Sequence, residues 1–208
     1  GPGGGQFTSE FYNDIQHLPE LIGYCYERDI KVIFCLGNTY FGGNMWGSFY
    51  GDNDAGWNKF MLDSLKWSNG FIDRIEASPY ASTILFYDFE NEWNRNVNRA
   101  DSFIQGIYDG CTSIPTGKRG CSILNIDTSS PYSGDDIEAL KNALGARTLD
   151  FVDYHSYPGI GFNSNIEGGY DSAKNRFPGA TVILGEYGRQ CASRSEERRV
   201  GKECRSRW

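Results

Sequence analysis

Nowhere in this chain do 18 apolar residues follow one another, so nothing in it is suited to cross a membrane as a helix. Basic residues are in the minority, 20 Lys and Arg against 27 Asp and Glu, for a formal charge of −7. Phosphate backbones are bound by clustered Lys and Arg, so nucleic acid is not an expected partner. The six cysteines contain no Cys-x-x-Cys pair and no zinc-type spacing. No Gly-x-Gly-x-x-Gly follows any apolar run, which removes the signature of a dinucleotide-binding doubly wound sheet. Histidine is scarce, with His17 and His155 alone. No signal peptide is visible. The chain opens on Gly1-Pro2-Gly3-Gly4-Gly5 without a methionine, so the absence of a signal says little about where the protein works.

What is present is aromatic character, 15% of residues, which suits a site that stacks on flat apolar faces. Helical and strand-like patterns alternate along the chain, the mark of a parallel α/β architecture. Apolar residues from Phe11 to Cys25 recur at three- and four-residue steps, predicting a helix over 9–28 with Ser9 or Thr8 as its N-cap. It runs into Lys31–Leu36, a continuous apolar run expected to be a strand buried on both faces. A loop over 37–56, rich in Gly, Asn and aromatics, is long enough to be functional. Helices are then predicted at 57–77, 98–109, 135–144 and 166–176, each followed by a strand, at 82–89, 120–126, 149–154 and 181–184. Cys25 and Cys35 are expected as buried thiols. Cys111 and Cys121, flanking a Thr-Gly-Lys-Arg-Gly loop, are open to a local disulfide that sequence does not decide.

Two of these strands end in glutamates. Thr83–Tyr87 leads into Phe89-Glu90-Asn91-Glu92-Trp93, and Thr181–Leu184 leads into Gly185-Glu186-Tyr187-Gly188. Glu92 and Glu186 lie 94 residues apart, about three strand–helix units at roughly 30 residues each. Two carboxyl groups at the mouths of parallel strands are what glycoside cleavage needs, one to protonate the leaving oxygen and one to attack the sugar carbon. Alternate strand residues face the same way, so Glu90 and Glu92 cannot both point inward together with Asn91. The strand is expected to end or kink near Phe89, with Glu92 the catalytic choice and Glu90 its substitute.

Together, Asn91-Glu92, His155-Ser156-Tyr157 and Glu186-Tyr187-Gly188, in this order and spacing, resemble the retaining glycoside hydrolases of the cellulase–mannanase superfamily, glycoside hydrolase family 5 above all. The stretch from Cys35 to Gly43 is similar to the strand-three loop of its β-mannanases. The resemblance covers about Thr8 to Arg189. It implies a partial (β/α)8 TIM barrel with strands 3 to 7 present and strands 1, 2 and 8 missing; at 208 residues the chain is short of the ~250 of a full barrel. It implies Glu186 as nucleophile, Glu92 as acid/base, Asn91 as the contact to the sugar 2-hydroxyl, and Tyr157 with His155 as the positioning pair. Trp93 stands where the family usually has proline. It implies a secreted enzyme that cleaves β-1,4-type bonds in a neutral polysaccharide or oligosaccharide, with no cofactor.

Other readings accompany these. Glu92 as a solvated loop carboxylate and Glu186 paired with Arg189 are the structural alternatives. Trp93 and Trp46 are candidate sugar platforms, with Tyr40, Phe41 and Trp57 beside the same long loop. Asp150, Asp153 and His155 hint at a metal, but no further ligands follow at suitable spacing, so none is expected. The catalytic domain is read as 1–194, acting as a monomer. Residues 195–208, with one aliphatic residue among many charges, read as a non-native tail. A non-catalytic carbohydrate-binding barrel, or an inactive fragment, is the alternative to an enzyme.

Overall fold

A computed structural model describes residues 17–37, 50–94, 97–124, 136–156 and 166–187. The expectations for Ser9, Tyr40, Phe41, Trp46, Tyr157, Gly188 and the 195–208 tail lie outside these residues. The described chain alternates α1 (Leu18–Tyr26), β1 (Val32–Cys35), α2 (Asp54–Glu76), β2 (Ile84–Asp88), α3 (Ala100–Gly110), β3 (Arg119–Leu124), α4 (Asp136–Leu144), β4 (Phe151–Ser156), α5 (Ile166–Arg176) and β5 (Thr181–Tyr187). All four neighbouring strand pairs are parallel, in the order β1-β2-β3-β4-β5. The result is a curled, parallel half-barrel sheet. The order never reverses, so these strands contain no switch point of the doubly wound kind.

Local sequence explains the helix starts. Pro19 opens α1, where its fixed φ fits and its missing N–H costs nothing. Asn53 caps α2 by accepting the Gly56 N–H at 2.9 Å. His17 lies exposed at the start of α1, 3.2 Å from Glu20.

One face of the sheet carries the helices. Phe34 stacks on Phe71 of α2 with centroids 4.1 Å apart, and Ile72, Ile75, Ile104, Ile107, Leu140 and Leu144 close the layer. Each such side chain contributes roughly 1.5–3 kcal/mol of apolar burial. The other, inner face is apolar at its base. Phe86 of β2 stacks on Phe151 of β4, centroids 4.8 Å apart. Gly120 lies beneath the Phe86 ring, and a Cβ there would come within 2.2 Å of it.

Period-two alternation then places polar residues above that base: Asp88 two positions beyond Phe86, Ser122 beyond Gly120, Asp153 and His155 beyond Phe151. All four are buried.

Two expectations are corrected here. β1 is not buried on both faces: Phe34 packs on the helices, but Ile33 is 36% exposed and Cys35 is exposed. No described strand pairs with β1 on its outer edge, so its inner-face residues meet solvent. Cys25, on α1, is only half-buried. Cys111 and Cys121 are buried free thiols and form no bridge.

Candidate active site

Three strand ends meet at the C-terminal edge of the sheet. Glu92 follows β2 in a tight turn and adopts a left-handed backbone, φ +54°, a conformation that side-chain-bearing residues hold only when their surroundings fix it. The fixing groups are visible. The Glu92 N–H donates to Ser122 Oγ at 2.8 Å, and the Trp93 N–H donates to the Ser122 carbonyl at 2.9 Å. Ser122 Oγ in turn lies 2.8 Å from Asp88 Oδ2 and 2.9 Å from the Glu90 carbonyl. The Ser122 and Glu90 N–H groups both donate to Asp88 Oδ1, at 2.8 and 3.3 Å.

Glu186 reaches the site through an irregularity. β4 and β5 pair Tyr154 with Leu184 and then His155 with Glu186, so Gly185 is an extra residue on β5. Such a bulge re-aims the side chains beyond it. It brings Glu186 to the inner face, beside His155. Only glycine fits the extra position, since a Cβ at Gly185 would fall 2.1 Å from Asp153 Oδ1.

His155 ties the ends together. Its Nδ1 lies 3.1 Å from Glu92 Oε1 and 3.8 Å from Glu186 Oε2, and its Nε2 lies 3.5 Å from Asp153 Oδ2. The imidazole is 2% exposed. Burial alone would depress its basicity. The hydrogen bonds to Asp153 and Glu92 and the charges of Asp153 and Glu186 outweigh that and raise its pKa to about 10. His155 is therefore an imidazolium at neutral pH, enclosed by three carboxyl groups. The Glu92 side chain is 13% exposed and that of Glu186 48%, so one glutamate is enclosed and the other faces open space.

Asp88, buried one layer below, is also displaced. Desolvation raises its carboxyl to about 7, with the Asp153 charge adding to the rise and the Ser122 hydrogen bonds opposing it.

Glu92, His155 and Glu186 thus present three donor atoms within 4.8 Å of one another. A metal ion would have to displace the Nδ1 proton from an imidazolium already paired with carboxylates. Asp150, weighed with His155 from sequence, lies at the start of β4 and accepts the Arg119 N–H at 2.9 Å, one strand length from the glutamates.

Glu92, His155 and Glu186 are brought together from the sequence-derived set. Asn91 is half-buried, its N–H donating to the Gly37 carbonyl at 2.9 Å. Trp93 requires a correction. It is 1% exposed, its indole N–H donates to the Ala100 carbonyl at 3.3 Å, and it belongs to the helix-side core, so its ring offers no face to a sugar. Glu90 is not an alternative to Glu92: fully buried, its Oε2 lies against Gly37, where a Cβ would come within 2.6 Å of it. Ser122 and the bonded role of Asp88 were missed from sequence. The readable signal was the alternation of Asp88, Ser122 and Asp153 with apolar residues in strands that otherwise look wholly buried.

Comparison of the chain with protein-family models, with curated proteins and with solved structures finds no match.

Proposed function

We propose that this chain is the catalytic part of a TIM-barrel retaining glycoside hydrolase that cleaves β-1,4-type bonds in a neutral polysaccharide or oligosaccharide. The observation that carries this reading is the closeness of Glu92 and Glu186, which bring carboxyl oxygens within 4.8 Å of each other from the ends of β2 and β5. Double displacement works with carboxyl groups about 5–5.5 Å apart, whereas inversion leaves room for a water at about 6.5–9.5 Å. The parallel, sequentially ordered sheet with its site at the C-terminal strand ends fits the place where barrel enzymes carry their chemistry.

In this reading Glu186, the more open group, attacks the anomeric carbon as a carboxylate. Glu92 gives its proton to the departing glycosidic oxygen as the C–O bond breaks. A water then enters, Glu92 takes its proton, and the hydroxide oxygen displaces Glu186 from the sugar. His155 donates Nδ1–H to Glu92 Oε1, which leaves Oε2 as the oxygen that carries the transferred proton. The same Nδ1 lies 3.8 Å from Glu186 Oε2, so one imidazole adjoins both glutamates.

The test is hydrolysis of β-mannan, β-glucan and cellulose oligosaccharides by the purified chain and by three variants. Glu186→Gln should lose turnover at least a thousandfold and keep ligand affinity. Glu186→Ala supplied with azide should yield a glycosyl azide of configuration opposite to the product sugar. Oligosaccharide binding without hydrolysis, insensitive to Glu92→Gln, would instead establish a carbohydrate-binding barrel.

A further inference from the structure

Ser122 has one hydroxyl proton and three close polar neighbours. The Glu92 N–H brings its own hydrogen to Oγ at 2.8 Å. The remaining neighbours, Asp88 Oδ2 at 2.8 Å and the Glu90 carbonyl at 2.9 Å, are both oxygens. If Asp88 were ionised, the single hydroxyl proton would serve one of them, and the other would press lone pair against lone pair at hydrogen-bond distance. A proton on Asp88 Oδ2 resolves the contact. Asp88 then donates to Ser122 Oγ, Ser122 donates to the Glu90 carbonyl, and the Glu92 N–H donates to Oγ. Every oxygen is used within its capacity. Asp88 Oδ1 remains a pure acceptor for the Ser122 and Glu90 N–H groups.

We infer that Asp88 is a neutral carboxylic acid in the working protein, and that its proton locks the Ser122 hydroxyl which holds Glu92 in its left-handed conformation. Asp88 is thus a proton-dependent positioning residue. This deepens the glycosidase reading and rests on it for the role of Glu92, while the protonation itself does not. The surroundings agree. The groups facing Asp88 are Cys35 from β1, Cys121 from β3, Asp153 from β4, and Glu90 just beyond its own strand: two carboxyls and two thiols. Burial accordingly raises its carboxyl to about 7. The nearest histidine on this face, His155, is engaged by Asp153 and Glu92.

The sign of the pH effect follows. An acid whose folded pKa is raised favours the fold fully below its unfolded value of ~3.9 and loses that contribution as pH rises through about 7. Loss of the proton also frees the Ser122 hydroxyl to turn toward Asp88 and weakens the clamp on Glu92.

Asp88→Asn is the decisive variant, because its amide reproduces the donor at Oδ2 and the acceptor at Oδ1 and cannot ionise. Melting temperatures of the full chain and of D88N are to be compared from pH 4 to 8, without substrate. The expected result is a gap in favour of D88N that widens from pH ~4 to about 7 and then levels. A protonated-carboxyl infrared band, present in the parent at pH 5 and absent in D88N, should fade by pH 9. Parallel melting profiles, no such band, or failure of D88N to fold would each overturn the inference. In turnover assays Ser122→Ala should lower kcat at least tenfold with KM little changed, and Ser122→Thr, which keeps the hydroxyl, should restore it. Equal loss in both variants would mean Ser122 only packs. The melting and infrared arms stand apart from turnover, so a failed glycosidase assay does not decide them.

Discussion

Glu186 stands opposite His155 because the β4–β5 ladder slips by one residue at Gly185. In an unbroken ladder, residue 185 would face His155 and Glu186 would pair with Ser156 on the opposite face. The glycine is needed twice over, for the slip and for the space that Asp153 Oδ1 occupies 2.1 Å from where a Cβ would be. Gly185→Ala is therefore expected to cost about 1–3 kcal/mol by overpacking, and turnover should fall more steeply than stability because Glu186 moves away from His155. Denaturant unfolding and kcat measured on the same preparation check this. Unchanged turnover in a folded variant would sink the claim that the slip aims Glu186.

Trp93 tests a different distinction. Its indole is enclosed in the helix-side core and hydrogen-bonded to Ala100. Trp93→Phe should lower the melting temperature and leave KM for an oligosaccharide unchanged, whereas a ring that stacked on sugar would raise KM. Trp93→Ala should cost about 3–5 kcal/mol. A large rise in KM for W93F at unaltered stability would return Trp93 to the binding surface.

The alternation of elements was legible in the sequence because helix and strand periods differ and each helix leads into an apolar run; even 166–176, a glycine-rich stretch, folds as the helix its pattern indicates. Glu92 and Glu186 were legible because they close apolar strands. What the pattern concealed was set by contacts distant in sequence. That Trp93 is core follows from where α3 packs, with Ala100 supplying a carbonyl, and a strand-end motif says nothing of this. The open inner face of β1 depends on which strands adjoin it. Ser122 became a support for Glu92 through a hydrogen bond spanning 30 residues, and no local spacing announces such a bond.

Gly120 gives the inner face its base. With a Cβ 2.2 Å from the Phe86 ring, Gly120→Val would push Phe86 off Phe151 and disturb the layer on which Asp88 and Asp153 rest. The expected cost is about 2–3 kcal/mol or more, read as a lower denaturation midpoint. Partial recovery in a Gly120→Ala, Phe86→Leu double variant would show that the clash is with this ring. Full stability in Gly120→Val alone would contradict the packing described.

His155 carries the largest electrostatic consequence. An imidazolium enclosed by Asp153, Glu92 and Glu186 offsets their mutual repulsion, so removing it leaves buried carboxyl groups without their counter-charge. His155→Gln should destabilise the chain by about 3–5 kcal/mol near neutral pH. The pH dependence has a defined sign. The folded pKa is raised to about 10 from an unfolded value of ~6.5, so the contribution is fully present below ~6.5 and is lost as pH rises through about 10. Denaturant unfolding of parent and H155Q across that range should therefore give a stability gap that shrinks with rising pH. Turnover of H155Q should be low throughout, since Glu92 Oε1 has lost its donor. A gap that stays constant from pH 6 to 10 would mean that His155 is buried neutral, and that the three carboxyl groups share their charge in some other way.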